Sequence, residues 1–216
     1  MTQRYFEYTR NEIFPLLPDK IQKVLEIGCG TGNTLGWLKA QKQCSWVGGV
    51  ELYPDAAAKA REKLDAVYVG NIEQLDLPID QGSLDLILCL DVLEHLLDPW
   101  AVVRRLQKLL KPGGVFIASI PNVRHHSVLS PLLFKQQWEY TEEGILDRSH
   151  LRFFVMKSAV QLIESSGLKV DMLMATGLGR SRRSLFVNAM IPSFIRSLFE
   201  KQYLIRGVKG ETTSDS

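Results

Sequence analysis

The feature that most constrains this chain is a short, largely apolar run, Lys23–Ile27, that passes directly into Gly28-Cys29-Gly30-Thr31-Gly32. An apolar run of this length without polar alternation reads as a strand buried on both faces of a parallel sheet. Glycines at alternate positions let the chain turn tightly and let a ligand approach without meeting a Cβ. Such a strand-to-helix turn lies at the carboxyl edge of the sheet, where open α/β folds bind ligands. The dinucleotide fingerprint would place its third glycine at position 33, where Asn33 stands. Glu26, two places before the first glycine, would repel a pyrophosphate and suits a cationic ligand carrying an ammonium and a sulfonium.

The pattern around this turn repeats. Residues 34–43 and 54–64 read as helices, the second opened by Pro54-Asp55, and residues 46–50, 66–69 and 84–90 as further strands. A helix over 101–110 ends at Lys111-Pro112-Gly113-Gly114, a turn signal, and a fifth strand follows over 115–120. Strands and helices alternating in this way predict an α/β fold, a Rossmann-like doubly wound sheet between two helical layers. Residues 121–154 break the rhythm and read as an acceptor-side insertion after the fifth strand, of the kind that forms lids or binding walls. The alternation resumes with a helix over 157–166 and a strand over 169–175. A basic loop follows over 177–183 with Arg180, Arg182 and Arg183, then a helix over 192–200 and a last strand over 202–208. We read residues 1–209 as one domain and 210–216 as a polar, disordered tail.

Composition excludes several classes. A formal net charge of +2 in 216 residues does not point to a nucleic-acid partner. No apolar stretch is long enough to span a bilayer, and Arg4, Glu7 and Arg10 precede any apolar run, unlike a signal peptide. Cys29, Cys44 and Cys89 form no CxxC pair and leave an odd count, which fits a reducing, cytoplasmic setting. The apolar stripe Phe186, Met190, Ile191, Phe194, Ile195, Leu198 and Phe199 is expected to pack on the sheet or against a second copy in a homodimer, with a membrane-surface contact the lesser reading.

Three further positions fall at strand ends. Glu51 closes the second strand, where a carboxylate can accept both ribose hydroxyls. Asn71 follows the third and could bond an adenine edge, with Ile72 against the ring. Asp91-Val92-Leu93-Glu94-His95-Leu96 follows the fourth. With these residues quoted, residues 20–120 resemble a class I S-adenosylmethionine-dependent methyltransferase. The resemblance implies a seven-stranded, mostly parallel sheet with an antiparallel last strand. It assigns S-adenosylmethionine to Glu26, Gly28, Cys29, Gly30 and Gly32 at the methionine end, Glu51 and Leu52 at the ribose, and Asn71 and Ile72 at the adenine, with Asp91 and Val92 completing the pocket. The family more often carries Asp at the position of Asn71.

A second stretch, Ser119–His126 with Trp138-Glu139-Tyr140 and 146–154, is similar to bacterial methyltransferases associated with glycosyltransferases and cell-surface polysaccharide synthesis. It implies a small-molecule acceptor such as a sugar hydroxyl. A quinone-type or other small-molecule acceptor, a non-catalytic domain that binds S-adenosylmethionine, and a nicotinamide oxidoreductase on the same fold are the rivals. An alcohol needs a base to take its proton, and histidine suits that task. His150 is the first candidate, oriented by Asp147, and His125 the second. Glu94 and His95 read equally well as solvated or capping residues of a short helix. The four histidines show no metal-ligand spacing and no cysteine partner, so no metal is expected.

Overall fold

The computed structural model describes residues 8–177 and 192–211. Seven strands form one sheet in the order β3-β2-β1-β4-β5-β7-β6. They are β1 Lys23–Ile27, β2 Trp46–Glu51, β3 Ala66–Val69, β4 Leu84–Leu90, β5 Leu110–Pro121, β6 Leu168–Thr176 and β7 Gln202–Lys209. β1 to β5 pair in parallel, and β7 runs antiparallel between β5 and β6. Strand order reverses between β1 and β4, which leaves a crevice at their carboxyl ends.

Alternation along the central strands sends neighbouring residues into two cores. Ile87 and Cys89 of β4, with Phe116 and Ala118 of β5, pack on helices α3 (Pro99–Leu106) and α5 (Met156–Glu164). Leu86 and Leu88, with Val115 and Ile117, face α1 (Asn33–Lys42), Ala60 of α2 (Pro54–Ala60) and a 3-10 turn over Asn11–Leu16. The expected three-layer sandwich is the one found. Truncating a fully buried leucine such as Leu88 would cost about 2–5 kcal/mol, since it loses both apolar burial and packing.

Residues 121–154 are more regular than the sequence suggests. Helix α4, His126–Lys135, runs through them with Pro131 inside and Val128 its one buried residue. A helix with so little to bury carries no apolar stripe, which is why periodicity does not reveal it. Residues 111–114, read as a turn before the fifth strand, lie inside a longer β5 instead: Leu84 pairs with Leu110 and Leu86 with Val115, so they bulge out of the strand. A four-residue helix, α6 (Ser193–Arg196), precedes β7. The basic loop's Arg180, Arg182 and Arg183, and Phe186, Met190 and Ile191 of the apolar stripe, lie outside the described residues, as does most of the tail. Phe199 is exposed and leans on the His126 ring at 5.4 Å. Among the described residues no helix is long and apolar enough to cross a membrane, and Cys29, Cys44 and Cys89 are free and buried.

Candidate active site

The carboxyl ends of β1 to β4 open onto a cleft of about 490 Å³. Its floor is the turn after β1. Gly28, Gly30 and Gly32 all have positive φ, and a Cβ on Gly28 would come within 2.7 Å of Val92. Side chains are therefore excluded there twice, by backbone conformation and by space. Gly28 and Cys29 donate their N–H groups to the Val50 carbonyl at 2.8 and 3.0 Å, which ties the loop to β2.

Two carboxyls stand at this turn. Glu51 is 4% exposed and well held: Oε2 accepts from Gly30 N–H at 2.8 Å and Oε1 from Tyr53 N–H at 3.0 Å. Glu26 is equally buried, but its Oε2 has no hydrogen-bond partner. Burial pushes its pKa from the ordinary 4.5 up to about 8; Arg10 opposes the rise and Glu51 adds to it. The Glu26 side chain is thus mostly protonated at neutral pH.

The residues that the resemblance assigns to the cofactor meet here with one exception. Glu26, Gly28, Cys29, Gly30, Glu51, Leu52, Asn71, Ile72, Asp91 and Val92 line the cleft. Gly32 does not; it caps α1 with its Cα turned toward Leu64. Asn71 spends its side-chain oxygen on Glu73 N–H at 2.9 Å, so the amide's donor end is what it offers a ligand. Asp91 takes a left-handed conformation, φ 57, rare for a residue with a side chain. Its carboxylate is committed to Arg10 at 2.5 Å, Ser119 at 2.8 Å and the Gln202 amide. Asp91 is a wall of the cleft, locked to the N-terminal segment through Arg10. Tyr8 and Arg10 border the opening.

The acceptor-side histidines sit differently from expectation. His125 caps α4, accepting Ser127 N–H at 3.2 Å on Nδ1, and it does not line the cleft. Asp147 does not orient His150. Its carboxylate accepts Ser149 N–H at 2.8 Å and the Ser149 hydroxyl, and despite partial burial these donors hold it below the ordinary range. His150 Nδ1 meets the Ile145 carbonyl instead, at 2.9 Å, and its ring is buried behind the cleft wall. His95, from the 3-10 turn Leu93–His95, is the histidine that reaches the cleft, beside Ser149 and Leu96. Its ring lies edge-on to His150 at 4.7 Å, and burial together with that neighbour lowers its pKa. Beside the rings stands Glu94, 1% exposed, with no hydrogen bond on either oxygen and Oε1 4.0 Å from His150 Nε2. Burial and then the charge of Asp91 push its pKa well up. Sequence reasoning left Glu94 and His95 as an even choice, because their partner His150 arrives from beyond β5 and α4.

The sequence matches the methyltransferase-domain family over residues 2–173. It is 27% identical over 177 residues to a ubiquinone biosynthesis O-methyltransferase of Neisseria meningitidis, covering 75% of this chain and 73% of that one. With the protein of the same name from Acinetobacter baylyi it shares 32% over 106 residues, 46% of this chain and 44% of that relative's length. The chain thus spans under half of that relative. Among solved structures, an S-adenosylmethionine-dependent methyltransferase from Archaeoglobus fulgidus superposes with a TM-score of 0.69 at 18% identity, over 96% of this chain and 95% of the other. That likeness speaks for the fold, and the family match covers most of the chain. With the sheet order, the glycine turn and the paired carboxyls on one cleft, the chain belongs to the class I S-adenosylmethionine-dependent methyltransferases.

Proposed function

We propose that this chain transfers a methyl group from S-adenosylmethionine to a hydroxyl oxygen of a small-molecule acceptor. The observation that carries the reading is Glu26: a buried carboxyl on the cleft floor with an unpartnered oxygen. Such a group is costly as a lone anion, and a ligand ammonium supplies both the opposite charge and the missing donors. The fit extends along the cleft. The glycine turn leaves room for the methionine chain, and Glu51, already fixed by two peptide N–H groups, has lone pairs left for ribose hydroxyls. Asn71 would donate to the adenine edge while Ile72, Leu52 and Val92 supply apolar surface.

Bound S-adenosylmethionine supplies an electrophilic methyl carbon on a sulfonium. The protein's own task is alignment, an effect that can lower a barrier by about 7–11 kcal/mol. It must also ease loss of the hydroxyl proton. We assign that task to the Glu94–His95–His150 cluster, with His95 as the member that meets the acceptor. His125 and Asp147 become supports of residues 121–154, which we retain as the acceptor wall.

The relatives named as ubiquinone biosynthesis O-methyltransferases support an oxygen of a quinone-type small molecule as acceptor. The motifs shared with polysaccharide-associated methyltransferases support a sugar hydroxyl, and Ser149 from that stretch lines the cleft. Parallel incubation with a prenylated catechol and with a nucleotide-linked sugar, read by mass spectrometry of the O-methyl product, separates the two. Transfer to neither, with cofactor bound, would favour a non-catalytic binding domain. Unpaired buried cysteines support a cytoplasmic setting. Residues 1–209 as one domain, and a homodimer through the stripe over 186–199, belong to the same reading; limited proteolysis and sedimentation decide them.

A further inference from the structure

We infer that Glu94, His95 and His150 form a divalent-cation site on the wall of the cleft, suited to a first-row ion of the zinc or manganese kind. One ligand atom from each side chain can be chosen so that all lie within 4.8 Å of one another, and His150 Nε2 stands 4.0 Å from Glu94 Oε1. Atoms bonded to one ion at about 2.1 Å lie about 3–3.4 Å apart. The set therefore closes by roughly an ångström around an ion, a movement open to a carboxylate held by no hydrogen bond.

The histidines are prepared for this role. A carbonyl oxygen can only accept, so the Ser149 carbonyl 3.2 Å from His95 Nδ1 and the Ile145 carbonyl 2.9 Å from His150 Nδ1 place the proton on each Nδ1. Each neutral ring then carries its lone pair on Nε2. Backbone carbonyls acting in this way are the usual outer support of a metal-binding histidine. Glu94 adds a second, independent sign: a carboxyl 1% exposed, with both oxygens unpartnered, beside two imidazoles. A carboxylate in that state needs either a proton or a cation. The two halves of the cluster are also fastened together, since the Glu94 carbonyl accepts from both Leu151 N–H at 2.8 Å and Arg152 N–H at 2.9 Å.

Two imidazoles and one carboxylate, with no thiolate, favour ions that accept nitrogen over magnesium or calcium, which prefer oxygen throughout. Three protein ligands leave coordination positions open, as catalytic sites do. The consequence for chemistry rests on the methyl-transfer reading, though the site itself does not. A cation beside His95 lowers the pKa of an acceptor hydroxyl, whose proton passes to water. The oxygen then forms its bond to the methyl carbon as the carbon–sulfur bond breaks, and sulfur keeps the electron pair as a neutral thioether. With Nε2 on the ion, His95 holds the cation and takes no proton.

The test is titration of chelator-stripped full-length protein with Co²⁺, followed by visible absorption, and with Zn²⁺, Mn²⁺ and Mg²⁺ by competition. Binding of S-adenosylhomocysteine is measured separately on the same sample, so that failure of the metal site and failure of the cofactor reading stay apart. One Co²⁺ per chain is expected, displaced by Zn²⁺ and only weakly by Mg²⁺. Glu94→Gln, which keeps volume and removes charge, should weaken Co²⁺ by at least about 100-fold, since even outer supports cost 10–100-fold. His150→Gln should do the same and change the Co²⁺ spectrum. No saturable site below millimolar Co²⁺, Zn²⁺ and Mn²⁺, or a site indifferent to Glu94→Gln in a folded protein, overturns the proposal.

Discussion

Glu51 and Glu94 are both buried carboxyls beside one cleft, and they are held in opposite ways. Glu51, 4% exposed, accepts peptide N–H groups on both oxygens; Glu94, 1% exposed, accepts none. Their origins explain the contrast. Glu51 ends β2 next to the glycine turn, so the backbone folding around it delivers the N–H donors of Gly30 and Tyr53. Glu94 sits on a short 3-10 turn against residues 149–152, whose Leu151 and Arg152 N–H groups go to its backbone carbonyl, while its carboxyl oxygens face the imidazole of His150. A carboxylate held by peptide donors is a fixed anion ready for neutral hydroxyls. A carboxyl without donors is incomplete until a proton or a cation joins it. On the proposed reading Glu51 is preorganised for its ligand and Glu94 is not.

Substitutions at each wall should separate along these lines, beginning with the largest effect. His95→Gln should cut methyl transfer by about 10²–10⁴-fold, the range for losing a group that assists proton removal. S-adenosylhomocysteine affinity should stay within about threefold. If affinity falls in parallel with turnover, His95 belongs to the cofactor wall and the contrast fails.

Glu51→Ala should weaken S-adenosylmethionine by about 1.5–3 kcal/mol, the worth of hydrogen bonds to a charged group. Glu51→Gln should recover part of that loss. Unchanged affinity in both would remove Glu51 from the ribose.

Those two outcomes also bear on what the sequence could reveal. β1, β3 and β4 match their expected bounds because each is a short, mostly apolar run closed by a glycine or an aspartate. Glu26, Glu51 and the glycines were legible for the same reason, since one turn and one strand end fix them all. The acceptor wall was not legible. α4 hides behind Pro131 and a nearly fully solvated surface, and His95 and His150 meet only through folding that spans β5 and α4. Asp147 stands near His150 in sequence, yet Ser149 takes its carboxylate first.

Stability should respond to pH through Glu26. Its folded pKa, about 8, lies above the ordinary 4.5, so the folded protein binds this proton more tightly than the unfolded chain. That stabilisation is fully present below about pH 4.5 and is lost as pH rises through 8. Glu26→Gln removes the dependence, so wild type should lose more melting temperature than the variant between pH 5 and pH 9. Parallel curves would show that Glu26 is not protonated in the folded protein.

The smallest effect belongs to His125. His125→Ala should cost about 0.5–2 kcal/mol of stability, as loss of a helix N-cap does, with turnover unchanged. A large fall in turnover would return His125 to the chemistry.

The central claim is that a cation-bearing cofactor lands on Glu26, and calorimetry of S-adenosylmethionine binding in buffers of differing ionisation enthalpy tests it most directly. A ligand ammonium paired with Glu26 draws its pKa down and displaces the proton that burial placed there. We predict micromolar affinity, release of close to one proton per site near pH 7, release fading above about pH 9, and no detectable heat from NAD. Binding of NAD without S-adenosylmethionine, or cofactor binding whose heat is the same in every buffer, would contradict the account.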